Sequence, residues 1–409
     1  MSEEKHEEPL REKVNTELSQ CAEEAAENVT AVSAPEALPS EIHNQHKSDT
    51  DSGQNDKASY LKKISVLLKT VNWYKTLRII FSVGFVVFAA LFINEVFLTP
   101  YRINQSIKKT EAIYASSQNA VTATEIPSAT EAISTPADGI SVSPAPAADP
   151  ARDGEGRLLK FKDLLAVNEE VKGWITIPDS NINYVVMQSG KDDPEYYLTR
   201  DIERKELKAG SLFIDAKGSV ENESMNLTIH GHNMTSTDNM FHSLMKYKEL
   251  DYYKARPVFS FDTIYQTGRW KIFAVFITNG GSEKEPLFDY TRADFENASD
   301  FMNFVYQLRI RSMYQIDTVD VNENDRLLTL STCSYEVKNY RTVIAARRIR
   351  DGEDPTIDTD RVTVNPEPLY PYTYYYRYGG KAPELTPTFE EALAKGEINW
   401  YSPTLESME

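Results

Sequence analysis

From Ile79 to Leu98 the chain reads IIFSVGFVVFAALFINEVFL, with no charge in its first fifteen residues. The run has no polar stripe and is long enough to cross a hydrocarbon core of roughly 30 Å. The expected element is one membrane-spanning helix, bounded at 77–99. Asn94 and Glu95 fall near its far end, where an interfacial position limits their cost. Structure of another kind begins near Leu158. Phe161, Leu164, Leu165 and Asn168 follow helical spacing, and short runs rich in β-branched and aromatic residues come next. Gly173–Ile177 and Ile182–Val186 flank the turn signal Pro178-Asp179-Ser180-Asn181. Ser211–Asp215, Asn226–His230, Trp270–Phe276, Arg326–Leu330 and Tyr340–Ala346 continue the pattern. These runs predict a mainly β, antiparallel domain closed into a barrel. Phe301, Phe304, Val305 and Leu308 share one helical face, with Thr291 and Asp294 as a capping box upstream, and a shorter helix is expected over Asp238–Tyr247. Past Asp351 the pattern weakens into a tyrosine-rich tail, Tyr370–Gly380, and a capped helix at Thr388–Leu393.

Composition divides the 409 residues further. Acidic side chains far outnumber basic ones over residues 1–60, which supply half of the net charge of −18. That segment has few aromatics and no apolar period, so 1–76 reads as a disordered acidic segment. Nothing in the chain forms a basic, aromatic-interleaved stripe, which excludes nucleic acid as a partner. Lys62, Lys63, Lys69, Lys75 and Arg78 precede the apolar run, and few basic residues follow it closely. The bias of basic residues toward the cytoplasm puts the N-terminus inside and everything after about residue 100 outside. Residues 100–155, dense in Ala, Ser, Thr and Pro from 111 onward, read as an extended, unstructured stalk. The remaining domains are 156–351, the barrel, and 352–409, the tyrosine-rich extension, most simply read as packing on the barrel.

Cys21 and Cys333 then lie on opposite sides of the membrane and cannot pair. Cys333 ends the apolar strand Arg326–Leu330 plus Ser331-Thr332, and Arg341 opens the next strand. Paired as a hairpin, the two strands bring sulfur and guanidinium to one end of a sheet. A thiol beside a fixed cation suits a nucleophile. Of the six histidines, His230, His232 and His242 share the cysteine's side. His230 continues the alternation of its strand, while Gly231 turns His232 into a loop at the sheet's end, which makes His232 the acid/base candidate. Ser331 and Thr329 share the cysteine's face by strand alternation and are supporting residues.

The motif TLSTC, Arg341 opening the following strand, and the preceding IHGHNM together resemble the sortases, specifically class B. The resemblance covers about Leu158 to Arg350. It includes the GWITIP opening, Tyr196-Tyr197-Leu198, the Gly210–Asp215 strand, and the stretch from Asn233-Met234 to Met240-Phe241. The long helix before the cysteine strand matches an insertion typical of the class. The resemblance implies an eight-stranded sortase-type barrel with peripheral helices, with Cys333 as nucleophile, His232 as acid/base and Arg341 as oxyanion or positioning group. Ser331, Thr329, Thr332 and Asn233 would contact substrate or support these three. The implied reaction needs no cofactor and no metal. A thiolate cleaves the C-terminal sorting signal of a secreted protein, a thioester forms, and the amine of a lipid-linked peptidoglycan precursor resolves it. His230 stands where the family commonly has tyrosine, and the acidic N-terminal segment and the tail are longer than a minimal member needs.

Other readings predict different observations. A papain-like protease has its cysteine before its histidine, the reverse of this order, and the caspase signature is absent. A sortase-type enzyme acting mainly as hydrolase or pilin polymerase would differ in what becomes of the thioester. A metal module would use His230 and His232 with His242 or Asp238, leaving Cys333 and Arg341 without a role. A stalked, non-enzymatic surface-binding module would keep its function without Cys333.

Overall fold

Two parallel strand pairs decide how the barrel closes. The computed structural model describes residues 72–124, 151–281, 285 and 287–403. The expected acidic segment 1–76, with Cys21, His6, His43 and His46, lies almost wholly outside these residues, as does the stalk from 125 to 150. Helix α1 (Trp73–Ile93) leads through a π-helical turn, Asn94–Leu98, into α2 (Thr99–Thr124). Helix α3 (Lys162–Val167) precedes strands β1 (Val171–Thr176), β2 (Asn183–Met187), β3 (Leu212–Ile214) and β4 (Asn226–Gly231). A small hairpin, β5 (Asn233–Met234) and β6 (Asn239–Met240), leads to α4 (Leu250–Ala255), β7 (Val258–Thr263) and β8 (Arg269–Asn279). Then come α5 (Ala298–Arg311), β9 (Tyr314–Gln315), β10 (Leu327–Ser334) and β11 (Tyr340–Arg348). The extension adds β12 (Thr363–Val364), α6 (Tyr372–Tyr378) and α7 (Phe389–Ala394).

The barrel order is β1-β2-β3-β4-β10-β11-β8-β7, with β7 pairing back onto β1. The β2–β3 and β4–β10 pairs are parallel and the rest antiparallel. A parallel neighbour needs a crossover. The one between β4 and β10 carries α4, α5 and the barrel strands β7 and β8, and it returns β10 to lie between β4 and β11. The closed eight-stranded barrel is the architecture expected. Strand β7 escaped the sequence reading, which recognised the other seven.

Apolar burial holds the barrel. Ile229, Leu328, Leu330, Ile344, Val275 and Phe273 are fully enclosed, each stabilising the fold by about 1.5–3 kcal/mol. Helix α5 packs on β8 through Phe301, Phe304, Val305 and Leu308, the predicted face. Its cap differs: Asn297, not Thr291, accepts from the Asp300 N–H. The helix expected over Asp238–Tyr247 is instead β6 followed by a 3-10 segment, His242–Lys248.

The stalk expectation is also corrected. Residues 99–124 are helical, because Ile103, Ile107, Thr110, Tyr114 and Ser117 recur every three to four positions and form a stripe against the barrel. Tyr114 stacks on Trp174 with ring centroids 4.1 Å apart, and Ser117 donates to Asp163 at 2.8 Å.

The sheet end far from Cys333 holds a charged network. Arg347, 0% exposed, lies opposite Leu327 and bonds Asp320 at 3.1 Å and Glu353 at 2.7 Å, while Lys271 reaches Glu353 at 2.6 Å. Burial alone would raise the Glu353 carboxyl, but the Arg347 and Lys271 bonds override it and hold it at about 2. A carboxyl depressed from 4.5 stabilises the fold above the unfolded value and loses that contribution as pH falls. Acid titration of unfolding should therefore show about 1–3 kcal/mol lost between roughly pH 4.5 and 2. Glu353→Gln should flatten that window; an unchanged profile would contradict the assignment.

Candidate active site

Cys333 lies inside β10 rather than at its end, and its register partner across the hairpin is Arg341 of β11. On its other side β10 runs parallel to β4, with Ser331 opposite His230 and Thr332 opposite Gly231. His232 follows directly where β4 ends. Sulfur, imidazole and guanidinium are thus carried at one end of three adjacent strands. Gly231 is needed there because a Cβ would meet Leu212 at 2.3 Å and Phe241 at 2.8 Å. The close approach of these apolar side chains seats the strand end from which His232 emerges.

Cys333 is unpaired and partly exposed. Its carbonyl accepts from Asn233 Nδ2 at 2.9 Å. Asn233 Oδ1 in turn accepts from His242 Nδ1 at 2.6 Å, and His242 Nε2 lies 3.3 Å from Asp238. His242 therefore holds the Cys333 backbone through Asn233. His232 Nε2 donates to the Leu198 carbonyl at 2.9 Å, fixing the ring against the turn Tyr196–Thr199 and leaving Nδ1 without a bond among the described residues. Arg341 donates to the Tyr340 carbonyl at 3.2 Å, and no carboxylate pairs with it among the described residues. An unneutralised guanidinium is what a developing oxyanion needs.

The expected supporting residues divide. Ser331 shares a 2.9 Å bond with the Tyr290 hydroxyl, Thr329 donates to Asn226 at 2.9 Å, and Thr332 donates to the Gly231 carbonyl at 2.8 Å. All three are buried, so they tie strands together. His230 donates to Asp215 at 3.0 Å and packs on Phe213. Burial would raise Asp215, yet its bonds with His230 and the Lys217 N–H keep it below the usual carboxylate value. The histidines thus have separate partners, and no group of three metal-ligating side chains is arranged for an ion among the described residues.

Sequence reasoning missed three participants. Burial pushes the Tyr290 phenol up and its bond to Ser331 pulls it down, with smaller effects from the charges of Arg341, Asp215 and Cys333, which puts Tyr290 near two of the three site residues. Lys248 and Glu336 form the second omission. Lys248 donates to Ser334, the neighbour of Cys333, at 2.9 Å and pairs with Glu336. Burial lowers the Lys248 ammonium, and the Lys248 and Ser334 bonds lower Glu336 against burial. No local motif marks these residues, because their partners lie far away in sequence.

The sortase domain family matches residues 175–349. Sortase B of Listeria monocytogenes is 34% identical over 181 residues, 44% of this chain and 69% of that protein. Sortase B of Staphylococcus aureus is 31% identical over 193 residues, 47% of this chain and 75% of that protein. A solved Staphylococcus aureus sortase B–substrate complex is 30% identical, covers 47% of this chain and 85% of that one, and superposes with a TM-score of 0.42. Identity of this order across most of both relatives' length agrees with the TLSTC and GHN motifs, and the chain belongs to the class B sortases, a family of cysteine transpeptidases.

Proposed function

We propose that the chain is a membrane-anchored transpeptidase with Cys333 as nucleophile, His232 as acid/base and Arg341 as the oxyanion group. The Cys333 thiolate attacks the carbonyl of a C-terminal sorting signal, and the oxyanion forms beside Arg341. The tetrahedral adduct collapses as His232 hands a proton to the leaving amine, leaving a thioester on Cys333. An amine of a cell-wall precursor, the lipid-linked peptidoglycan, then attacks the thioester, His232 takes up the proton the amine loses, and the thiolate departs. The observation that supports these roles is the register: Cys333 opposite Arg341, with His232 leaving the neighbouring strand at the same level.

The apolar helix supports the anchor. Among the described residues it alone is long and apolar enough to cross a membrane, and its side chains face outward, Phe81 at 73% and Phe85 at 71% exposure. With Lys75 and Arg78 before the run, the N-terminus faces the cytoplasm and the barrel the outside. The proposed domain limits stay at 1–76, 77–99, 100–155, 156–351 and 352–409, with residues 100–124 reassigned from extended stalk to helix.

The test incubates the full-length protein with a library of sorting-signal peptides, with and without a primary amine. Amine-dependent ligation product at the expense of free acid is the expected result. Free acid alone at every amine concentration would make the enzyme a hydrolase, and coupling only to a pilin lysine would make it a polymerase.

A further inference from the structure

The turn that joins the nucleophile strand to the arginine strand is fastened by the C-terminal extension. Residues 335–339 connect Ser334 to Tyr340, and Asn339 takes a φ of +64°. This turn closes the ladder in which Cys333 pairs with Arg341. At the end of α6 the Tyr378 hydroxyl donates to the Glu336 carbonyl at 2.8 Å. The Tyr340 hydroxyl, on a side chain 1% exposed, shares a 2.5 Å bond with Thr373 Oγ1. Thr373 also donates to Glu285 at 2.8 Å, and the same carboxylate accepts from the Tyr372 N–H. From the opposite side Lys248 and Ser334 hold the Glu336 carboxylate.

Ring contacts and a hydrogen bond brace the extension internally. Tyr370 stacks on Tyr374 at 4.1 Å, Tyr374 meets Tyr378 at 4.8 Å, and Tyr375 donates to the Pro368 carbonyl at 3.0 Å. Leu369–Tyr372 also wall a recess of about 350 Å³ along Ile277–Asn279 of β8, where Thr278 is the register partner of Arg341. A tail that merely covered apolar surface would need none of these hydroxyls. Here they converge on the few residues between sulfur and guanidinium.

We infer that the C-terminal extension is a positioning element of the active site, in which Thr373 and Tyr378 fix the Cys333–Arg341 turn. It rests on the reading of Cys333 and Arg341 as the reacting groups. Because displacement of reacting groups by about 1 Å can cost on the order of 10²-fold in rate, the effect falls on kcat rather than on KM.

The test uses the full-length chain in detergent and a sorting peptide selected from the library. Tyr378→Phe with Thr373→Val removes both hydroxyls and keeps the rings and bulk. The inference predicts acylation kcat lower by about tenfold, KM within about twofold, and an unfolding midpoint within about 2 °C of the unmutated chain. Thr373→Ser by itself, which keeps the hydroxyl, should retain the unmutated rate. Unchanged kcat, or a fall matched by loss of folded protein, overturns the inference. If the double variant does not fold, Tyr378→Phe alone, at a half-exposed side chain, must lower kcat at least about threefold, and failure to do so is equally decisive. Absence of a thioester in the unmutated chain sinks the underlying reading, and the inference with it.

Discussion

Cys333→Ala is expected to abolish both cleavage and transfer, by at least about 10³-fold, while the barrel stays folded. The sulfur alone can form the covalent intermediate that divides the reaction into two easier steps. The side chain is partly exposed and makes no disulfide, so its loss leaves little void. Its carbonyl remains bonded to Asn233 because that contact is made by backbone. Cys333→Ser keeps the geometry and replaces the thiolate by a hydroxyl that is scarcely ionised at neutral pH, so it should be nearly as inactive. Cleavage assays with circular dichroism on the same preparations check this. Cleavage surviving in Cys333→Ala would place the nucleophile elsewhere.

His232→Ala should cost about 10²–10⁴-fold, the usual worth of a positioned proton donor. Its ring is held by the Leu198 carbonyl, so the loss comes with no broken network beyond one hydrogen bond. The contrast lies two residues upstream. His230→Phe removes the bond to Asp215 but keeps a ring against Phe213. It should leave turnover within about threefold and lower stability by about 1 kcal/mol. Reversal of the two effects would make His230 the acting histidine, at the position where related enzymes commonly carry tyrosine.

Much of the fold was legible because its elements declare themselves locally. The apolar run, seven of the eight barrel strands, the face of α5 and the cap at Thr388 follow from periodicity and composition. Strand β7 was overlooked, although Val258-Phe259-Ser260-Phe261 alternates; it follows directly on Pro257, and the strand residues after Phe261 are polar. The helix over Thr99–Thr124 was hidden by the Ala/Ser/Thr-rich composition that continues past it, even though its buried positions keep helical spacing. Of the site, the motif residues were visible and the network around them was not. His242 acting through Asn233, Tyr290 on Ser331, and Tyr378 on the Glu336 carbonyl each join residues between nine and 42 positions apart. Such contacts exist only once the β4-to-β10 crossover and the docking of the extension have brought distant segments together. Thr329, Ser331 and Thr332 show the converse: a sequence pattern finds them beside Cys333 but cannot tell that their hydroxyls already bond inside the barrel.

The central claim is that Cys333 carries the acyl group. A sorting peptide selected from the library is mixed with the full-length protein, the reaction is quenched in acid, and proteolytic fragments are weighed by mass spectrometry. The account predicts that the fragment containing Cys333 gains the mass of the peptide's N-terminal portion, through a bond that hydroxylamine releases. Peptide cleavage with Cys333 unmodified, or with the added mass on any other residue, would contradict it.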